Sequence, residues 1–198
     1  MSKAIIFDLG GVLFTNGTKL FINSLAKRYQ LDPEELKIIF DGEVGSKYRE
    51  SKIDRNEFWK QVFNSINVKE SADELESEWI NHYEIIPKTK EILFKLKKHY
   101  AVYYLSDNVK ERVDKLNEKF GFLSWFTDGV FSYEVGVRKP NLEIYIKILR
   151  KFNLKPEECV FIDDKPKCLI PAKEIGFTTI LFESPEQLEA KLQEIGLI

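Results

Sequence analysis

The sequence predicts an α/β fold: a parallel sheet with helices on both faces, interrupted after its first strand by a helical insert. Three observations carry this. The apolar run Ala4-Ile5-Ile6-Phe7 ends at Asp8 and a Gly10-Gly11 pair, the pattern of a buried strand closed by a turn. From Pro87 onward, short apolar runs alternate with segments of helical period, and that alternation argues for a parallel sheet. Between about Thr15 and Ile85 no strand pattern appears, only helical spacing and helix-start signals.

The elements follow in order. The first strand covers residues 4–8. Leu20, Phe21, Leu25 and Tyr29 then share one helix face. Asp32-Pro33-Glu34-Glu35 starts a second helix, with Asp as cap and Pro at the first helical position. Asp54 and Glu57 form a cap-like pair before Phe58, Trp59, Val62 and Phe63, and Ser71 and Glu74 fit a capping box before Leu75 and Trp79. Past Pro87 the reading is a helix over 88–98, a strand over 99–105 and a helix from Val109. A strand over 129–132 follows the Asp128-Gly129 turn, and Pro140 opens a helix to Phe152. Then come a strand over 159–163, a helix to Ile175, a strand over 178–182 and a last helix over 185–195. Residues 1–14 and 87–198 thus form one α/β core, and residues 15–86 a helical insert.

Composition sets the class. The 198 residues suffice for one domain with an insertion and a proper core. A formal net charge of -2 gives no electrostatic footprint for nucleic acid, though a local phosphate pocket stays compatible with it. No apolar run is long enough for a bilayer, and the N-terminus lacks the features of a secretory signal. Cys159 and Cys168 form neither a CxxC pair nor a disulfide framework. A cytoplasmic protein with no membrane or nucleic-acid partner is the simple expectation.

Four predicted element ends carry polar residues. Asp8 follows the first strand, where open parallel sheets place their ligands. A carboxylate there is poorly solvated, and it needs a cation or an electrostatic task. Ser106-Asp107-Asn108 follows Val102-Tyr103-Tyr104-Leu105. Arg138-Lys139-Pro140 precedes a helix. Asp163-Asp164 follows Val160-Phe161-Ile162. Taken singly, an aspartate after a strand reads as a helix cap, Ser106 as a turn residue and Lys139 as a solvated surface lysine. Adjacent carboxylates are less bland, because they repel each other and recruit divalent cations.

In this order the phrases FDLGGVL, LSDN, GVRKP and FIDD resemble the four motifs of the haloacid dehalogenase-like hydrolase superfamily. The resemblance spans about 2–14 and 87–182, and the insert occupies the place of that family's cap. It implies a Rossmann-like core with an α-helical cap, and a Mg²⁺-dependent phosphatase that acts on a small phosphorylated metabolite, such as a sugar phosphate, through an aspartyl phosphate. Asp8 is the implied nucleophile. Asp8, the Gly10 carbonyl and Asp164 are the implied protein ligands of Mg²⁺, with Asp163 holding a water on the metal. Ser106 and the Asp107 backbone N–H bind the transferring phosphoryl group, and Lys139 balances its charge and that of Asp8.

Departures from the pattern matter. Most phosphatases of the family carry an acid/base aspartate two positions after the nucleophile, and here Gly10 stands there. The expectation is slower turnover, or selectivity for good leaving groups. His82 is the titratable residue of the insert that would replace it, although a solvent-facing helix position is the simpler reading. Asp107 stands where asparagine is common, so its carboxylate is expected to point away from phosphate and to cap the next helix. Cys168 reads as a buried structural thiol. Within the insert, Lys47, Tyr48, Arg49 and Lys52 read as a solvated helix face, and Phe58, Trp59, Phe63 and Trp79 as the insert's own small core. Two other readings stay open. A 2-haloacid dehalogenase also lacks the second aspartate but needs no metal. A non-catalytic phosphometabolite-binding protein would explain Gly10 but not the retained Asp8, Lys139 and Asp164.

Overall fold

A computed structural model of the protein describes residues 4–198. Five strands form one wholly parallel sheet: β1 (Ala4–Phe7), β2 (Ala101–Ser106), β3 (Asp128–Phe131), β4 (Cys159–Asp163) and β5 (Thr178–Leu181), in the order β3-β2-β1-β4-β5. The continuous apolar run of β1 fits its place at the centre, because a strand covered on both faces has no solvent side. Pleating splits its residues between two apolar layers. Ile5 and Phe7 join Val102, Tyr104, Val160 and Ile162 in one layer, and Ala4 and Ile6 join Tyr103, Leu105, Val130 and Phe161 in the other.

The helices sort the same way. On the second layer pack α9 (Leu142–Phe152) and α10 (Pro166–Glu174), through Ile144, Tyr145, Ile148 and Ala172. On the first pack α6 (Pro87–Lys97), α7 (Lys110–Phe120) and α11 (Pro185–Glu194), through Leu93, Leu116 and Leu188. The short α8 (Ser132–Val135) follows β3 directly.

Between β1 and α6 lie α1 (Gly17–Tyr29), α2 (Pro33–Asp41), α3 (Glu43–Arg49), α4 (Arg55–Ser65) and α5 (Ala72–Asn81). The expected caps form: Asp32 accepts from Glu34 N–H, Asp54 from Glu57 N–H, and Ser71 and Glu74 make the reciprocal capping box. Aromatic rings fill the centre. Phe21 stacks on Trp79 at 5.0 Å, Phe40 meets both edge-on, and Tyr48 stacks on Phe58 at 4.6 Å. These rings belong to the same apolar cluster as the insert-facing side of the sheet. Chain entry and exit run side by side: Thr15 N–H donates to Glu84 O at 2.8 Å and Ile86 N–H to Leu13 O at 2.9 Å.

Several boundaries shift. β2 starts at Ala101 instead of His99, and β3 spans 128–131 because Ser132 already belongs to α8. Pro140 does not open α9. Asn141 caps it, accepting from Glu143 N–H at 2.9 Å, and a side-chain cap outweighs the Pro signal there. Phe63 is not interior either: it is 38% exposed and only stacks against Trp59. The Tyr48–Arg49 pair is buried instead of solvated, at 7% and 5% exposure. Gly45 explains Arg49, since a Cβ there would stand 2.0 Å from Phe40 O. That close approach of α2 and α3 lets Arg49 Nη1 donate to both the Phe40 and Gly45 carbonyls at 3.0 Å.

Candidate active site

Strand register assembles the site. Phe7 pairs with Tyr104 on one side and Ile162 on the other, so the residues that follow these strands emerge at one edge of the sheet. Asp8 leaves β1 there, with its N–H on Ile162 O at 2.8 Å. Ser106 closes β2 and Asp163 closes β4. Lys139 enters from the loop before α9 and links two of them: its Nζ lies 2.9 Å from Asp8 Oδ1 and 2.5 Å from Asp163 Oδ2. All three side chains are nearly dry.

Burial sets the electrostatics. Desolvation pushes Asp8 up to about 6 against the pull of Lys139. Asp164 is raised by desolvation and by the nearby Asp8. For Lys139, desolvation is outweighed by Asp163 and Asp8, which hold its pKa well above the ordinary lysine value and keep it protonated.

The free valences define what the site would accept. Each Asp163 oxygen already accepts one bond, Oδ2 from Lys139 Nζ and Oδ1 from Lys165 N–H at 2.8 Å. Asp164 Oδ1 is enclosed and has no hydrogen-bond partner. The Gly10-Gly11 turn presses against it: a Cβ on Gly11, whose φ is +89°, would stand 2.3 Å from Asp164 Oδ2. Carboxylate oxygens of Asp8, Asp163 and Asp164 lie within 4.8 Å of one another. An orphaned buried carboxylate oxygen beside two more carboxylates matches the oxygen donor set of a hard divalent cation such as Mg²⁺.

Above these groups lies a cavity of about 380 Å³, lined among others by Asp8, Gly10, Ser106, Asp107, Lys139 and Cys168 on the sheet side. Phe14, Ile22, Tyr83 and Leu116 supply an apolar wall, and Lys19, Lys37, Asp41 and Arg49 come from the insert. Among the described residues the Ser106 hydroxyl has no hydrogen-bond partner, and it lines the cavity as a free donor.

Asp107 departs from expectation. Its side chain does not cap α7. It accepts from Lys139 N–H at 3.0 Å and from Arg138 Nε at 3.1 Å, so its charge is spent on the neighbouring loop. Arg138 also reaches the insert, with Nη1 on Ser46 Oγ at 2.6 Å and Nη2 on Asp41 Oδ1 at 3.3 Å. His82 is not at the cavity. It ends α5 with Nε2 3.8 Å from Glu78 and borders a separate recess beside Ser24 and Asp73. Cys168 is buried, its thiol pushed up to about 12 chiefly by desolvation.

Sequence reasoning missed Arg49, Arg112, Asp41 and Lys165 as cavity residues. For Lys165 the adjacent Asp163-Asp164 was the available signal. Arg49 and Asp41 gave none, because local periodicity does not report what packs over a helix end. Burial, with Arg112 and Arg138 nearby, pulls Arg49 down to about 10 against the attraction of Asp41.

This edge of a parallel sheet, with its dry carboxylates and lysine, defines the ligand-bearing end of an α/β protein. A model of the haloacid dehalogenase-like hydrolase family matches residues 2–176, and the chain belongs to that family of hydrolases. It is 25% identical over 206 residues to D-ribitol-5-phosphate phosphatase of Bacteroides thetaiotaomicron, covering 100% of this chain and 98% of the relative. To sesquiterpene phosphatase astK of Aspergillus oryzae it is 28% identical over 179 residues, covering 88% and 86%. A magnesium complex of a HAD family enzyme from Bacteroides thetaiotaomicron superimposes with a TM-score of 0.77 at 25% identity, covering 92% of this chain and 93% of that one. L-2-haloacid dehalogenase of Xanthobacter autotrophicus shares the fold at a TM-score of 0.68 and 17% identity, covering 100% and 85%. Among the described residues, no helix is long and apolar enough to cross a membrane.

Proposed function

We propose that the protein is a Mg²⁺-dependent phosphomonoesterase acting on a small phosphorylated metabolite, with residues 1–14 and 87–198 as catalytic core and residues 15–86 as a cap that supplies the substrate-facing wall. One observation carries the reading: Asp8, the Ser106 hydroxyl and Lys139 line one cavity, and the unpartnered Asp164 oxygen belongs to the carboxylate cluster that Asp8 joins at its floor. Full-length relatives named as phosphatases support it. A sugar phosphate suits the cavity size and the ribitol phosphate in one relative's name. Both cysteines are free thiols, in keeping with a reducing, cytoplasmic setting.

The steps follow from the side chains. Asp8 Oδ1 is held by Lys139, and among the described residues Oδ2 takes no hydrogen bond, which leaves Oδ2 free to act as the nucleophile. It attacks phosphorus, the bond from phosphorus to the departing oxygen breaks, the leaving alkoxide takes its proton from solvent water, and Asp8 becomes an aspartyl phosphate. Water then cleaves that acyl phosphate, releasing inorganic phosphate and restoring Asp8. Ser106 and the Asp107 backbone N–H orient the phosphoryl oxygens, while Lys139 offsets their charge and that of Asp8. Asp8, Asp164 and the Gly10 carbonyl would hold Mg²⁺, with Asp163 positioning a water on it. When bound, that ion neutralises the like charges that must meet in phosphoryl transfer. Gly10 offers no side chain to move a proton, so esters with good leaving groups are the better substrates.

The 2-haloacid dehalogenase alternative leaves the Asp164 oxygen without a purpose. Hydrolysis of p-nitrophenyl phosphate with Mg²⁺, its loss in EDTA, and a fall of more than about 10³-fold in Asp8→Asn are the expected results. Chloride release from a 2-haloacid without metal, or full turnover by Asp8→Asn, would refute the reading.

A further inference from the structure

Arg112, in the first turn of α7, is 6% exposed and lines the same cavity as Asp8 and Ser106. Among the described residues it has no carboxylate partner, and its single hydrogen bond there is a long one, from Nη1 to Asn108 Oδ1 at 3.4 Å. A buried guanidinium without a counter-ion is costly, and proteins keep such a group where something completes it.

The head is nonetheless fixed in place. Its Cζ lies 3.9 Å over the Trp79 ring, a cation–π contact. Trp79 is anchored in turn, stacked on Phe21 and donating its indole N–H to Thr18 Oγ1 at 3.2 Å. Among the described residues, only Thr89 Oγ1 and Asp164 Oδ1 are enclosed side-chain polar atoms without a partner. Nε and Nη2 of Arg112, which bond nothing, are therefore not sealed off. One side of the residue borders a void of about 20 Å³, room for a water and no more. The other borders the large cavity.

Charge agrees. Seven basic side chains but four acidic ones line that cavity, in a chain whose formal net charge is -2. Lys139 already serves Asp8 and Asp163, and Arg138 serves Asp107 and Asp41. Arg112 is the buried guanidinium left over. A planar fork of N–H donors, held over an aromatic ring, suits a carboxylate. Hydroxyls would satisfy its donors but not its charge.

We propose that Arg112 receives a carboxylate at the distal end of the substrate, so that the preferred class is a phosphorylated hydroxy acid and not a phosphorylated neutral polyol. This rests on the phosphatase reading of the Asp8 centre. The test compares two matched pairs with Mg²⁺: ribonate 5-phosphate against ribitol 5-phosphate, and 3-phosphoglycerate against glycerol 3-phosphate. Within each pair a carboxylate replaces a hydroxymethyl group. In at least one pair the acid should show a kcat/KM higher by roughly 10- to 100-fold. Arg112→Gln should bring that ratio toward unity, mainly through KM, and Arg112→Lys should keep part of it. Neutral esters turned over as well as the acids in both pairs would overturn the assignment, as would a preference untouched by Arg112→Gln. If melting by circular dichroism shows that Arg112→Gln does not fold, the wild-type ratios and Arg112→Lys decide. Failure to hydrolyse all four esters and p-nitrophenyl phosphate would instead sink the phosphatase reading. Calorimetric binding of the same pairs would then still test Arg112.

Discussion

Gly10 and Asp8 show how much one side chain decides. A Cβ on Gly10 would meet nothing within 4 Å, and its φ lies outside the left-handed region. The position therefore tolerates a larger residue, and it faces the cavity. Gly10→Asp should raise kcat for an alkyl phosphate by about 10²-fold and change p-nitrophenyl phosphate much less, because only the poor leaving group needs a proton. Steady-state kinetics on both esters check this, and equal effects on the two would argue against a missing acid. Asp8 and Asp164 were legible as candidates because each sits where an apolar strand stops. Their difference from Asp163 came only from the family resemblance, not from the residues themselves. It depends on which oxygens Lys139 and Lys165 N–H already occupy.

At the scale of elements, the loop before α9 joins three parts of the protein. Arg138 binds Asp107 after β2, Asp41 at the end of α2, and Ser46 in α3. Ser132, at the start of α8, adds a second tie, accepting from Asn108 N–H and lying 2.7 Å from Arg49 O. These contacts hold the insert down over the loop that follows β2. They also consume the Asp107 charge that would otherwise repel an anion. Arg138→Gln should raise KM for a phosphate ester about 10-fold. Adding Asp107→Asn should restore part of the loss, since the freed carboxylate is then gone. No recovery in the double variant would mean that the insert contacts matter and the neutralised carboxylate does not. The RKP phrase was visible in the sequence, but the Asp107 side chain was expected to turn to α7. A partner thirty-one residues away in sequence leaves no local trace.

For the whole molecule, the dry acidic cluster links stability to pH and to metal. In the metal-free protein burial raises Asp8 from an ordinary 3.8 to about 6. Between those values the folded state holds the proton more tightly than the unfolded chain. The metal-free fold therefore loses stability as pH rises through this window. Mg²⁺ held at the proposed site would require the ionised form, so its stabilising effect would grow over the same range. The melting temperature with Mg²⁺ minus that in EDTA should be larger at about pH 7.5 than at about pH 5. A difference that is flat or falls with pH would contradict a Mg²⁺ site on Asp8.

The sequence alone determined the parallel α/β core, the helical insert and the polar residues at the strand ends. These are local matters: an apolar run long enough for one buried strand, a turn pair that stops it, caps that start helices. Tertiary structure decided which charges share the cavity. Arg49, Arg112, Arg138 and Asp41 look like ordinary surface charges in their own helices and loops. They meet because the insert folds back over the sheet's carboxyl edge. Periodicity says which way a side chain faces; only the packing of distant segments says what it will find there.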